Sequence, residues 1–207
     1  MSEPRMSKAV LASALFGIGA LRFGRFTLAS GKTSSYYLDM RVVPSYPDVY
    51  SIVVRAYKNL ASGVGKSEFD VIAGVATAGV TFSSPLAFLL KKPMVYVRRE
   101  EKGHGLGRLV EGAIRPGLRA LVVDDLVTTG GSMLAAVEAL RRLGCRVDDA
   151  LVLVDRQEGG AANLIERGVR LHSFTDVREL VDIIYRAKKV TKKERDAVLR
   201  QVEGGAP

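Results

Sequence analysis

Ala120-Leu121-Val122-Val123-Asp124-Asp125-Leu126-Val127-Thr128-Thr129-Gly130-Gly131-Ser132 is the stretch on which the reading of this chain turns. An apolar run of strand length ends in two adjacent acids, passes through a turn of hydroxyl and glycine residues, and enters a helix-like segment over residues 133–143 that Gly144 stops. Consecutive backbone N–H groups over residues 128–132 lie at the positive end of that helix, whose dipole amounts to roughly half a charge, and can hold a phosphate. Thr128, Thr129 and Ser132 add hydroxyl donors, Gly130 and Gly131 let the backbone come close, and Leu126 and Val127 lead into the turn. Asp124 and Asp125 can accept hydrogen bonds from the two hydroxyls of a ribose, and their charge favours a sugar ring that becomes positive in a transition state. Neighbouring strand residues face opposite ways, so one of the two acids can instead orient the loop.

Outward from this stretch the centre of the chain repeats one theme, a short β-branched run followed by a Gly- or Thr-containing loop and a helix-like segment. The runs are residues 69–75, 94–97, 119–123, 150–154 and 170–174, and the loop Ala76-Thr77-Ala78-Gly79 opens a helix to about Leu90. Continuous apolar runs alternating with helices predict an α/β fold with a central, mainly parallel sheet covered by helices on both faces, and with ligands at the C-terminal ends of the strands. Ahead of it, residues 9–21 read as an amphipathic helix, and two aromatic-rich segments around Ser30-Gly31-Lys32-Thr33 as a small hairpin. Pro47 opens a helix to about Ser62, and Asp176 with Glu179 and Thr191 with Glu194 read as capping boxes of two last helices.

The 207 residues, 47% apolar and 26% charged, suffice for one sizeable core, so residues 1–207 are expected to form a single domain. A formal net charge of +9 favours anionic partners without choosing among phosphates, nucleic acid and acidic membranes. One cysteine, Cys145, permits no intrachain disulfide and fits a reducing, cytoplasmic setting, while Arg22 and Arg25 end the first apolar stretch short of the ~20 residues that span a bilayer. Several motifs fail. Gly31-Lys32-Thr33 and Gly65-Lys66-Ser67 lack the glycine of a nucleotide-triphosphatase loop, having Phe26 and Leu60 there, and Gly103, Gly105 and Gly107 are wrongly spaced for a dinucleotide turn. His104, His172 and Cys145 form no zinc pattern, and no Gly-x-Ser-x-Gly elbow is present. Arg98, Arg99, Lys102 and His104 are four potential cations within a glycine-flanked loop, suited to a hinged lid over a departing diphosphate.

The acid-and-glycine stretch resembles the phosphoribosyl diphosphate signature of type I phosphoribosyltransferases. Three further segments resemble the orotate phosphoribosyltransferases among them: Phe23-Gly24-Arg25-Phe26-Thr27-Leu28-Ala29-Ser30-Gly31 continuing through Tyr36-Tyr37-Leu38-Asp39, Arg98-Arg99-Glu100-Glu101-Lys102-Gly103-His104-Gly105, and Asp155-Arg156-Gln157-Glu158. The resemblance implies a flap over about residues 23–41 that helps cover the pyrimidine, and a mobile catalytic loop over about 98–112. It implies Lys102, His104, Asp124 and Asp125 as catalytic residues. Phosphoribosyl diphosphate would be bound by Arg98, Arg99, Lys102, His104 and the residues from Asp124 to Ser132, and orotate by Thr128 and Arg156. Mg2+ would enter with the diphosphate and need no protein ligand, and homodimers would share active sites; neither nucleic acid nor membrane is expected as a partner. Relatives carry lysines where this chain has Ala29 and Ala78, and often at Arg99. A purine phosphoribosyltransferase shares the acid loop but not the flap and Arg156. A nucleic-acid-binding regulator of this fold would need a DNA-reading element, and no helix-turn-helix precedes the flap.

Overall fold

The computed structural model describes residues 7–27, 31, 33–99 and 109–204, and the chain divides into two compact units, residues 54–174 and residues 1–53 with 175–207. In the first, β3 (Val71–Val75) is buried at every position and β6 (Arg119–Val123) and β8 (Arg146–Asp155) over most of theirs. Val, Ala and Leu runs without alternation have no face to offer water, and α3 (Ala78–Leu90) and α4 (Gly131–Arg142) pack against them. With β4 (Met94–Val97), β5 (Val110–Glu111), β7 (Leu126–Val127) and β9 (Arg170–Asp176), the sheet has the order β5-β4-β3-β6-β8-β7, and β9 also pairs with β8. The pairs β3–β4, β3–β6, β6–β8 and β7–β8 are parallel, and β4–β5 is antiparallel. The expected α/β architecture is therefore present, with β8 beginning four residues before the apolar run that announced it.

Parallel strands bring like ends together, and here the two ends differ in chemistry. At the starting ends, the Asp70 carboxylate takes both the backbone N–H (2.9 Å) and the guanidinium (2.9 and 3.1 Å) of Arg119. Those bonds hold its carboxyl far below the usual carboxylate range. Asp149 on β8 likewise accepts two bonds of 3.0 Å from Arg170 and contacts His172 Nε2 at 2.6 Å. The finishing ends carry the loops described below.

The other unit contains α1 (Lys8–Gly17), the antiparallel hairpin of β1 (Leu21–Thr27) and β2 (Thr33–Leu38), a 3-10 turn (Met40–Ser45), the start of α2 (Pro47–Val64), α6 (Val177–Arg186) and α7 (Lys192–Val202). The hairpin expected from the aromatic segments is formed, and Tyr36 is buried with Val177, Val181 and Val198. Gln201 ties it to α7, accepting from Ser35 N–H at 2.6 Å and donating to Ser34 Oγ at 3.1 Å. Thr191 and Glu194 make the reciprocal box that their spacing predicts. The box expected at Asp176 and Glu179 is only half made: Asp176 accepts from the Glu179 amide at 2.9 Å, but the Glu179 carboxylate turns to Lys8 Nζ (2.6 Å) and Thr175 Oγ1 (2.9 Å). A nearby ammonium offers a carboxylate more than one backbone N–H does, and spacing in sequence does not reveal it.

Leu140 on α4 is fully buried in the core of the larger unit. Leu140→Ala is expected to lower stability by about 2–5 kcal/mol through the lost methyl groups and the cavity left behind, read as a lower urea midpoint at unchanged slope.

Candidate active site

Both β6 and β7 pair with β8, and the offset is the same on each side of the acids, since Val123 lies opposite Leu151 and Leu126 opposite Val154. The ladder crosses the acid pair, with Asp124 N–H donating to Leu151 O and Leu153 N–H to Asp125 O, each at 3.0 Å. Asp124 and Asp125 are thus held by main-chain bonds at the finishing end of the sheet. Each carboxylate also accepts from the next amide, Asp124 Oδ1 from Asp125 N–H and Asp125 Oδ1 from Leu126 N–H, both at 2.9 Å.

Three neighbours close around the pair. From α2, the buried Tyr57 donates its hydroxyl to the Asp124 carbonyl at 2.7 Å while its ring stacks on Phe82 with centroids 5.6 Å apart. From the first turn of α3, Gly79 comes so close that a Cβ there would lie 2.5 Å from Val123 O and 3.0 Å from Asp124 Oδ1. From the end of β4, Arg99 Nε donates to Ala76 O at 3.3 Å. Burial, and next the charge of Asp125, push the Asp124 carboxyl well above the usual carboxylate range, against the pull of the Asp125 amide and of Arg99. Burial pushes the Tyr57 phenol up as well, reinforced by Asp125 and Asp124, which keeps it a donor.

Beyond Val127 the chain turns through Thr128 and Thr129 to Gly130, whose φ of +83° is a conformation that glycine adopts without a Cβ clash, and α4 begins at Gly131. Gly131, Ser132 and Thr129 are exposed at the start of α4. The carbonyls point the other way: Val127 O accepts from Arg156 N–H (3.0 Å), Thr128 O from Gly160 N–H (2.9 Å) and Thr129 O from Asn163 Nδ2 (2.9 Å). Gly160 and Asn163 belong to α5 (Gly160–Ile165), which follows β8. The Arg156 side chain, 15% exposed, pairs with Glu158 at 3.0 Å just beyond the end of β8. Arg98 reaches Glu111 at 3.5 Å across the base of β4 and β5. Lys102 and His104, with the glycines around them, lie outside the described residues.

The sequence profile of the Phosphoribosyl transferase domain matches residues 46–182. The orotate phosphoribosyltransferase of Sulfolobus acidocaldarius is 44% identical over 178 residues, which span 86% of this chain and 88% of that protein. The chain belongs to the orotate phosphoribosyltransferase family. The crystal structure of orotate phosphoribosyltransferase from Aeropyrum pernix is similar at 37% identity and a TM-score of 0.73, covering 84% of this chain and 99% of that one. The structure of Leishmania donovani UMP synthase is similar at 32% identity and a TM-score of 0.84, covering 96% of this chain but only 42% of that longer one. As a phosphoribosyltransferase, the protein is an enzyme of the pentosyltransferase class, and its mostly parallel sheet is that of its solved relatives.

Asp124 and Asp125 stand at the finishing end of β6, Thr128 through Ser132 form the turn into α4, Arg156 follows the neighbouring strand β8, and Arg99 lies beyond the end of β4, which β3 separates from β6. Tyr57, Gly160 and Asn163 were not legible. The two consecutive glycines before Ala161 are a signal from which a close approach could have been read, but nothing in the sequence names the Asp124 carbonyl as the partner of Tyr57.

A carboxyl whose pKa is raised by folding binds more protons folded than unfolded between its ordinary value of about 4 and its raised value, so stability falls as pH rises through that window. Asp124→Asn keeps an acceptor for the Asp125 amide and removes the buried charge. It is expected to melt higher than the parent chain at pH 7, with the gain fading as pH falls toward 4, while enzymatic activity is lost; thermal melts across pH check this.

Proposed function

We propose that this chain transfers the ribose 5-phosphate of phosphoribosyl diphosphate to orotate, giving orotidine 5'-monophosphate and diphosphate in pyrimidine nucleotide synthesis. The observation that carries the reading is the acid pair at a strand end immediately followed by a loop whose amides face away from three bonded carbonyls. The 5-phosphate sits on the amides and hydroxyls of Thr128 to Ser132, where the helix dipole favours an anion. Asp124 and Asp125 accept from the ribose hydroxyls and stabilise the ring as positive charge develops on it. Thr128 and Arg156 hold orotate, the guanidinium fork matching a planar carboxylate.

The displacement at the anomeric carbon is largely dissociative: the bond to diphosphate breaks well ahead of bond formation, and a pyrimidine nitrogen captures the ring cation. Lys102 and His104, with Arg98 and Arg99, neutralise the leaving group and exclude water. Arg99 donates to Ala76 O, two residues before Ala78 at the start of α3, so it supplies positive charge near a position where relatives carry a lysine. Among the described residues no three His, Cys, Asp or Glu side chains are grouped to hold a metal. Mg2+ would enter with phosphoribosyl diphosphate, held by the donor's own oxygens and water, and would neutralise diphosphate oxygens.

The enzyme is further proposed to act as a homodimer in the cytoplasm. Phe88 and Leu89, 83% and 49% exposed on α3, offer apolar surface for self-association. No helix among the described residues is long and apolar enough to cross a membrane.

Incubated with orotate, phosphoribosyl diphosphate and Mg2+, the protein is expected to produce orotidine 5'-monophosphate; preference for a purine base, or salt-sensitive DNA binding without turnover, would overturn the reading. Asp125→Asn should cost about a hundredfold or more in kcat. Mixed with a Lys102→Ala protein, it should regain activity through hybrid dimers, and no recovery despite verified subunit exchange would exclude shared sites.

A further inference from the structure

We propose that the first turn of α5, through Asn163 and Gly160, positions the phosphate-binding amides of the loop after β7, making these two residues positioning residues for the sugar phosphate donor. The inference rests on the functional reading above and goes beyond it to residues that touch no substrate.

A trans peptide unit is planar, with its C=O and N–H pointing in opposite directions. Fixing the carbonyl of one residue therefore aims the amide of the next. Arg156 N–H takes Val127 O, Gly160 N–H takes Thr128 O and Asn163 Nδ2 takes Thr129 O, at 3.0, 2.9 and 2.9 Å. These three bonds direct the amides of Thr128, Thr129 and Gly130 away from β8 and α5. Among the described residues none of those three amides donates to a main-chain carbonyl. Two of the fixing bonds are backbone bonds set by the fold, and the third depends on one side chain.

Gly160 sets the distance. A Cβ at this position would lie 2.4 Å from Val127 Cγ2, 2.6 Å from Thr128 O and 3.2 Å from Gly130 N, so any larger residue would drive the loop off α5. From the other side, a Cβ on Gly130 would lie 3.3 Å from Gly160 O. The loop and the turn are thus in backbone contact, and Asn163, at the end of the same turn, completes that contact with a side-chain amide that reaches the Thr129 carbonyl. Asn163 is itself exposed, so its role is not that of a core residue.

The test compares Asn163→Leu, Asn163→Gln and Gly160→Ala with the parent enzyme. Affinity for phosphoribosyl diphosphate with Mg2+ is read by calorimetry, and KM for each substrate and kcat by turnover. Asn163→Leu, near in size but without a donor, should weaken donor affinity and raise its KM about threefold to tenfold, leaving kcat and the orotate KM near the parent values. Asn163→Gln, which keeps an amide donor, should recover part of the loss. Gly160→Ala should lower kcat/KM for the donor about a hundredfold, because it displaces the loop. Unchanged donor affinity in Asn163→Leu, or a loss of melting temperature with no change in donor KM, would overturn the positioning role. The two readings fail separately: absence of orotidine 5'-monophosphate from the parent enzyme counts against the orotate assignment, whereas the donor affinities decide the role of α5. Should Gly160→Ala fold poorly, the two exposed Asn163 variants decide the question.

Discussion

A strand that must keep its ladder while presenting two carboxylates is the constraint around which this molecule is built. β8 accepts and donates main-chain bonds on both sides of Asp124 and Asp125, so the acids cannot turn away from the end of the sheet. Placing one of them in a buried setting beside the other costs solvation, and the response is visible in the raised Asp124 carboxyl. Tyr57 acts at the main chain rather than at the carboxylate, donating to the buried Asp124 carbonyl. One carboxylate oxygen of Asp124 accepts from the adjoining Asp125 amide.

Division of labour between the two ends of the parallel sheet follows from the same constraint. Ion pairs at the starting ends, Asp70 with Arg119 and Asp149 with Arg170, close the charges of the strands on one another. At the finishing ends the carbonyls are closed by neighbouring backbone, at Val127 and Thr128, and by side chains, at Ala76, Asp124 and Thr129. Bonding electrostatics inward at one end and outward at the other lets one layer be structural and the other chemical. The loop after β7 is not shaped by its own sequence alone; it packs against the first turn of α5, with no room for a methyl group at Gly160.

Local sequence determined a great deal here, because the features concerned are local or periodic. Uninterrupted apolar runs announced the buried parallel strands, the acid pair followed by hydroxyls and glycines announced the strand-turn-helix, and Thr191 with Glu194 announced a helix start, since each depends on residues within one turn or one strand. Tertiary structure decided what spacing cannot encode: that Tyr57 would stand beneath Asp124, that Asn163 and Gly160 would orient the loop at Thr128 and Thr129, and that Glu179 would leave its capping partner for Lys8. These contacts join residues far apart in the chain, and their free energies depend on burial and competing partners that exist only once the strands have been brought side by side.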